Sequence, residues 1–174
     1  MIQLLFIFIT FFFLDNLIPL WWSLQPLVGQ YYVVPNVFLT CLVVYVFFES
    51  HPRKPYYLAL LFGLLYDIFY AGVIGLYPVI FLTAVFVIRR FFVGRTPINL
   101  FSMMALMMGV IAASQWVVYF LVLTMTELRM AFLHFVQFIL FPTLLFNALF
   151  MFVTYPILVN RFRLYRKKYE SGRS

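Results

Sequence analysis

Long, unbroken apolar runs separated by short polar segments dominate the pattern of hydrophobic and polar positions along this chain. A membrane β-barrel would instead show short segments in which apolar and polar residues alternate. Runs of this length are typical of helices that cross a bilayer, which need about 20 apolar residues each. The pattern predicts six spans, at about residues 2–20, 33–48, 56–70, 76–92, 100–123 and 130–159.

The composition supports this interpretation. Hydrophobic residues make up 66% of the 174 residues and charged residues only 10%, whereas a soluble domain carries roughly 25% charged residues. This balance excludes a water-soluble globular protein, and it excludes a disordered one, which needs low hydrophobicity and high charge. We therefore expect an all-α, polytopic integral membrane protein with a six-helix domain over residues 1–160 and a basic tail over 161–174.

The first apolar run has neither the basic start nor the small-residue cleavage site of a signal peptide, so we expect it to be retained as a helix. The segment between the first two spans, residues 20–36, holds no Lys or Arg. It is rich in aromatic residues, namely Trp21, Trp22, Tyr31 and Tyr32. Such a segment is expected at the outer interface, either as an anchor or as a docking face for an extracytoplasmic partner.

The basic residues predict the orientation. All Lys and Arg except Arg129 fall in three segments, which six spans place on one side of the membrane. These residues are Arg53 and Lys54, then Arg89, Arg90 and Arg95, and finally Arg161, Arg163, Arg166, Lys167, Lys168 and Arg173. Because cytoplasmic loops are enriched in Lys and Arg, both termini are expected in the cytoplasm. The same charges would attract anionic lipid headgroups, whereas no reading element for nucleic acid accompanies them.

Enzyme signatures are missing from the sequence. It contains no H-E-x-x-H, no G-x-S-x-G and no glycine-rich phosphate loop. The single cysteine, Cys41, excludes an internal disulfide and a cysteine-based metal site. We therefore expect no catalytic activity and no cofactor.

Asp67 is the one acidic residue that the pattern places clearly inside a helix. Inserting a carboxylate costs at least ~2.5–3.5 kcal/mol, so Asp67 should have a partner. Ala59 and Gly63 precede it at intervals of four, and small residues at this spacing let another backbone come close. We expect this stripe to pack on a matching one in the fifth span, with Asp67 capping a helix end. A ligand or proton site and a partner-binding role are the alternatives. The matching stripe is Ala105, Gly109 and Ala113.

The sixth span carries its own polar positions. Pro142 lacks the helical N–H donor, so it should bend the helix and free the carbonyl group near Phe138. Asn147 is expected to hydrogen-bond across helices. His134 precedes both at a depth similar to that of Asp67, so a contact between these two side chains is possible.

Two stretches of the chain resemble a known family. The first is Leu58-Ala-Leu-Leu-Phe-Gly63-Leu-Leu-Tyr-Asp67, followed by Gly72-Val-Ile-Gly75 and an apolar span that ends at Arg89-Arg90. The second is Phe141-Pro142-Thr143-Leu-Leu-Phe-Asn147, followed by Tyr155-Pro156. The first resembles the G-L-L-x-D motif and glycine-bearing link of the rod shape-determining protein MreD family, and the second is similar to the Pro…Asn pattern of its last helix.

The resemblance implies a non-enzymatic component of the bacterial cell-elongation machinery in the cytoplasmic membrane. Such a protein binds MreC and, through it, works with MreB filaments, RodA and a class B transpeptidase in cell shape and peptidoglycan synthesis. It also implies a fold similar to the S component of energy-coupling-factor transporters, so a substrate-binding S component for vitamin uptake is the alternative. The first helix lacks the A-x-x-x-A stripe with which S components dock. The candidate structural or partner-interface residues are Ala59, Gly63, Asp67, Gly72, Gly75, Pro142 and Asn147.

Overall fold

The computed structural model describes residues 2–23, 32–71, 74–125 and 131–171. Over these ranges the chain is all-helical, with six helices and no strand, which confirms the expectation of an all-α protein. The helices are α1 (Ile2–Ser23), α2 (Val37–Phe48), α3 (Lys54–Tyr66), α4 (Leu76–Val87), α5 (Leu100–Met125) and α6, which begins as Phe132–Phe135. π-helical turns continue α3 over Asp67–Ala71 and α4 over Ile88–Phe92, and a third, Val136–Leu140, links the start of α6 to its main part, Phe141–Ser171.

Each predicted span coincides with one helix, but the helices differ in length. Two of those described, over Leu100–Thr124 and Phe132–Arg166, are long and apolar enough to cross a membrane. The apolar part of α1, Leu4–Pro19, and the whole of α2 are shorter. The structure therefore supports membrane-spanning character for α5 and α6 by length and composition.

Among the elements that the structure describes, α2 is the most deeply buried. Every residue of its 12-residue length is buried, and nearly all are apolar. A helix that is apolar on all faces is stable only when other protein or lipid surrounds it. The sequence pattern predicts that α2 starts at residue 33. In the structure the helix begins at Val37, and residues 32–36 are not helical. At 1.5 Å per residue, α2 is only about 18 Å long.

The basic tail is largely a continuation of α6, which ends at Ser171. Phe162 anchors this part of the helix, since its side chain is 1% exposed. Its ring centroid lies 5.3 Å from that of Tyr45 and 6.4 Å from that of Phe48. The first turns after residue 160 are thus packed against the end of α2.

The chain divides into two compact units. The first comprises Met1–Phe38 and Met104–Met151, with aromatic contacts such as Phe8–Phe38 and Tyr119–Phe135, whose ring centroids are 5.6 and 4.3 Å apart. The second comprises Leu39–Met103 and Phe152–Ser174. It contains the α3–α4 hairpin, where the ring centroid of Tyr66 lies 5.1 Å from that of Tyr77.

Gly63 sets the spacing of this hairpin. A Cβ atom on Gly63 would lie 2.6 Å from Cα of Pro78, which is closer than real Cβ contacts come. The small residue therefore lets the start of α4 approach α3, and the expected pairing of this stripe with α5 is wrong. Ala105, Gly109 and Ala113 are exposed, and a Cβ atom on Gly109 would meet nothing within 4 Å.

We predict that Gly63→Ala destabilises the protein although alanine favours helices. The added methyl group overlaps the backbone of Pro78, and overpacking of this kind typically costs about 1–3 kcal/mol. Thermal unfolding of the detergent-solubilised protein measures the loss. Gly109→Ala is the matched control and should leave the unfolding temperature unchanged or slightly higher. Equal unfolding temperatures for both variants would contradict the close packing of Gly63.

Candidate functional site

The Asp67 side chain caps the start of α4. The backbone N–H groups of Gly75 and Tyr77 donate to Asp67 Oδ2 and Oδ1, at 2.5 and 2.9 Å. The carboxylate is 2% exposed. An anion at a helix N-terminus is favoured by the helix dipole and by free N–H groups. The prediction that Asp67 caps a nearby helix end is therefore confirmed.

Gly75 explains why the cap comes from another helix. As the N-cap residue of α4, Gly75 has no side chain to accept hydrogen bonds. Its φ of 105° lies in the left-handed region that favours glycine. Asp67, one helical turn after Gly63, supplies the missing acceptor. Gly63 and Asp67, one turn apart, thus both pack the start of α4 against α3. Gly72 lies outside the described residues.

A second buried carboxylate performs the same task in the first unit. The backbone N–H groups of Val37 and Phe38 donate to Asp15 Oδ1 and Oδ2, at 2.6 and 2.9 Å. Asp15 lies within α1 and is buried, so the expectation that only Asp67 is clearly inside a helix is wrong. The signal was present in the sequence, because Asp15 interrupts an apolar run just as Asp67 does.

An extended segment, residues 32–36, runs along α6 before α2 begins. Val34 N–H donates to Thr143 Oγ1 at 3.0 Å, and Asn36 N–H donates to Asn147 Oδ1 at 2.8 Å. Asn147 Nδ2 in turn donates to the Val34 carbonyl at 3.0 Å. Both α6 side chains are fully buried. Non-helical backbone in an apolar region needs such partners. The sequence predicts that Asn147 hydrogen-bonds across helices, but its partners outside α6 lie in this non-helical segment.

Pro142 completes this arrangement. The carbonyl of Phe138, four residues earlier, lacks the helical donor and accepts the N–H of Tyr32 instead, at 2.9 Å. The π-helical turn Val136–Leu140 lies directly before Pro142. The prediction of a freed carbonyl near Phe138 is confirmed, and the extended segment is its partner. His134 is not part of this network; it is exposed, with its ring centroid 4.6 Å from that of Phe138.

Glu49 forms a third polar centre, which the sequence analysis did not single out, at the end of α2. Its Oε2 accepts the Tyr45 hydroxyl at 2.5 Å, and its Oε1 lies 3.5 Å from Lys54 Nζ. Its backbone carbonyl accepts Arg89 Nη2 at 2.7 Å. The side chain is 3% exposed. Glu49 therefore joins the end of α2 to the start of α3 and the end of α4.

The remaining basic residues lie mostly on the surface. Six are exposed, namely Arg53, Arg90, Arg95, Arg161, Arg163 and Arg166, whereas Lys54 and Arg89 are half-buried. The side chains of Lys167 and Lys168, and the whole of Arg129 and Arg173, lie outside what the structure describes. The same holds for the aromatic side chains Trp21, Trp22 and Tyr31.

One face of α5 is smooth and exposed. Ala105, Gly109 and Ala113 follow each other at helical spacing, and all three are exposed. Val117 and Phe120 continue the exposed surface with larger side chains. By contrast, Ala59, Gly63 and Asp67 are all buried within the α3–α4 hairpin. The face of small residues that is open to a partner is on α5 and not on α3.

The chain matches no protein-family model, no curated protein and no solved structure. Among the described residues, no group of three or more His, Cys, Asp or Glu side chains is arranged to hold a metal ion.

We predict that Asp67→Ala lowers the free energy of unfolding by about 2–4 kcal/mol, because two N–H donors lose their acceptor. Asp67→Asn keeps one acceptor oxygen and should cost less. The measurement is thermal unfolding in detergent, with Ile68→Ala as control because Ile68 is exposed on the same helix. An Asp67→Ala protein as stable as the control would show that the cap is dispensable.

A parallel prediction concerns Asn147. Asn147→Leu conserves side-chain volume but removes the acceptor of Asn36 N–H and one of the two side-chain donors to the Val34 carbonyl. We expect faster hydrogen exchange in residues 32–38 and a loss of about 1–3 kcal/mol in stability. Leu149→Ala, at an exposed position two residues later, is the control. Unchanged exchange over 32–38 in Asn147→Leu would refute the role assigned to this side chain.

Proposed function

We propose that this chain is a non-enzymatic membrane scaffold of the MreD type, which binds MreC and supports cell elongation. It crosses the bacterial cytoplasmic membrane six times and has both termini in the cytoplasm. The charge pattern supports this orientation. The exposure of large apolar side chains on every helix except α2 supports a lipid environment.

The observation that carries the proposal is the exposed small-residue face of α5. In a membrane, helices associate through close packing at small residues rather than through the hydrophobic effect. Ala105, Gly109 and Ala113 offer such a surface, and nothing in the described part of the chain fills the space beside Gly109. A single transmembrane helix, such as that of MreC, could pack closely on this face.

The residues that carry the resemblance fit a scaffold. Gly63 and Asp67 hold the start of α4, while Pro142 and Asn147 hold the segment that leads into α2. Their polar atoms bind backbone groups of the chain itself. These residues thus give a rigid frame, and the partner surface is elsewhere, on α5.

The proposed mechanism gives separate roles to the rigid frame and to the α5 face. The MreC helix packs on α5, and the aromatic segment between α1 and α2 orients the extracytoplasmic part of MreC. MreD-type binding then biases MreC between forms that do and do not activate RodA and its transpeptidase. MreB filaments are reached indirectly, through the same complex.

The proposal is tested by purifying the tagged chain from its native membrane in mild detergent and quantifying MreC among the proteins that follow it. Gly109→Leu should reduce MreC recovery about tenfold or more, because the larger side chain blocks close helix approach. Thr83→Leu, a small-to-large change at an exposed position of α4, should retain it. Both variants must reach wild-type levels in the membrane.

Two outcomes would contradict the proposal. Full MreC recovery with Gly109→Leu would exclude the α5 face as the binding surface. Recovery of paired ATPases and a coupling subunit, with no MreC, would identify the chain as a substrate-binding S component.

A further inference from the structure

Basic side chains from α3 and α4 contact Glu49, and the basic part of α6 packs against the end of α2 through Phe162. Lys54 and Arg89 contact Glu49 directly, at 3.5 and 2.7 Å. Arg53 and Arg90 adjoin them in sequence and are exposed. We call Arg53, Arg90, Arg161, Arg163 and Arg166, together with the half-buried Lys54 and Arg89, the basic surface.

The tail contributes to this surface through Phe162. Its ring packs on Tyr45 and Phe48, within one turn of Glu49. Arg161 and Arg163 flank Phe162 in sequence and are exposed, on the turn of α6 that packs against the end of α2. Glu49 carries the opposite charge, but its side chain is buried against Tyr45 and Lys54 and offers no acidic surface.

Large apolar side chains are interleaved with these charges. Tyr57, one helical turn after Arg53, is 64% exposed, and Leu164, one turn after Arg161, is 63% exposed. Phe91, directly after Arg90, is also exposed. A surface that offers both cations and apolar groups suits a ligand that is both anionic and apolar.

We propose that the basic surface binds the headgroups of anionic phospholipids at the cytoplasmic face of the membrane, with Tyr57, Phe91 and Leu164 in contact with the acyl region. The clustering by Glu49 and Phe162 makes this a defined surface rather than a diffuse attraction. It rests on the orientation proposed above but requires no MreC, so loss of lipid binding and loss of MreC binding are separate results.

The physical case rests on charge complementarity. Each basic side chain near an anionic bilayer contributes favourably, and the contributions add across a cluster. Aromatic and long aliphatic groups next to the charges hold the surface at the depth of the headgroups. A nucleic acid or a soluble acidic protein would gain from the cations but not from the exposed apolar groups.

The experiment is a titration of the full-length protein in mild detergent with phosphatidylglycerol, followed by native mass spectrometry. The triple variant Arg53→Gln, Arg90→Gln, Arg163→Gln removes three exposed cations and leaves the Glu49 contacts intact. We expect its apparent affinity to fall roughly a hundredfold at low salt. Arg129→Gln, at the one cation that the charge pattern assigns to the opposite side, should bind like the wild type.

Two further measurements on the wild type keep the test independent of any variant. Phosphatidylcholine should bind far more weakly than phosphatidylglycerol, and raising the salt concentration should weaken phosphatidylglycerol binding because it screens exposed charges. Millimolar inorganic phosphate should not displace the lipid.

Four results would overturn the proposal. Equal affinity of the wild type and the triple variant would exclude the basic surface, and an equal loss with Arg129→Gln would show a general charge effect. Equal binding of phosphatidylcholine would exclude charge recognition. Displacement by inorganic phosphate would point to a site for soluble anions.

Discussion

Buried carboxylates that accept hydrogen bonds from the start of the following helix are the interaction on which the rest of this structure depends. Asp15 binds the first N–H groups of α2, and Asp67 binds those of α4. Each interaction solves two problems at once, because a buried charge and unpaired N–H donors are both costly in an apolar environment. The carboxylate and the N–H donors together form charge-assisted hydrogen bonds, and these bonds fix where each helix begins.

The same constraint governs the non-helical backbone before α2. Residues 32–36 leave N–H and carbonyl groups without helical partners, and Thr143, Asn147 and the Phe138 carbonyl provide them. Pro142 is essential to this arrangement, because its missing N–H leaves the Phe138 carbonyl available. Thr143 and Asn147 of α6 therefore stabilise an irregular segment through their side chains, which agrees with the proposed scaffold role.

Much of this arrangement could be predicted from the sequence. The predictions are correct for features that depend on local physical rules. The extents of α3 and α4, the capping role of Asp67 and the missing N–H donor of Pro142 opposite the Phe138 carbonyl all follow from helix geometry and from the cost of buried polar groups. The segment that packs against Gly63 could not be predicted. A small residue indicates that another segment approaches closely, but it does not identify that segment. Pro78 and the α5 stripe were equally compatible with its spacing.

Other features depended on contacts distant in sequence. The late start of α2 is set by Asp15 and Asn147, which lie 22 and 111 residues from the groups they bind. The Glu49 centre combines residues from α2, α3 and α4, none of which forms a recognisable motif. Such arrangements become visible only when the fold brings the residues together.

The central claim is that the frame formed by these contacts leaves the α5 face open to a single-span partner. Site-specific photo-crosslinking in living cells tests it most directly, with a photoreactive phenylalanine analogue at Val117 or Phe120 of α5 and, as control, at the exposed Phe86 of α4. The account predicts MreC adducts from the α5 positions and none from Phe86. MreC adducts from Phe86 alone, or none from any position in cells where the protein is present at normal levels, would contradict it.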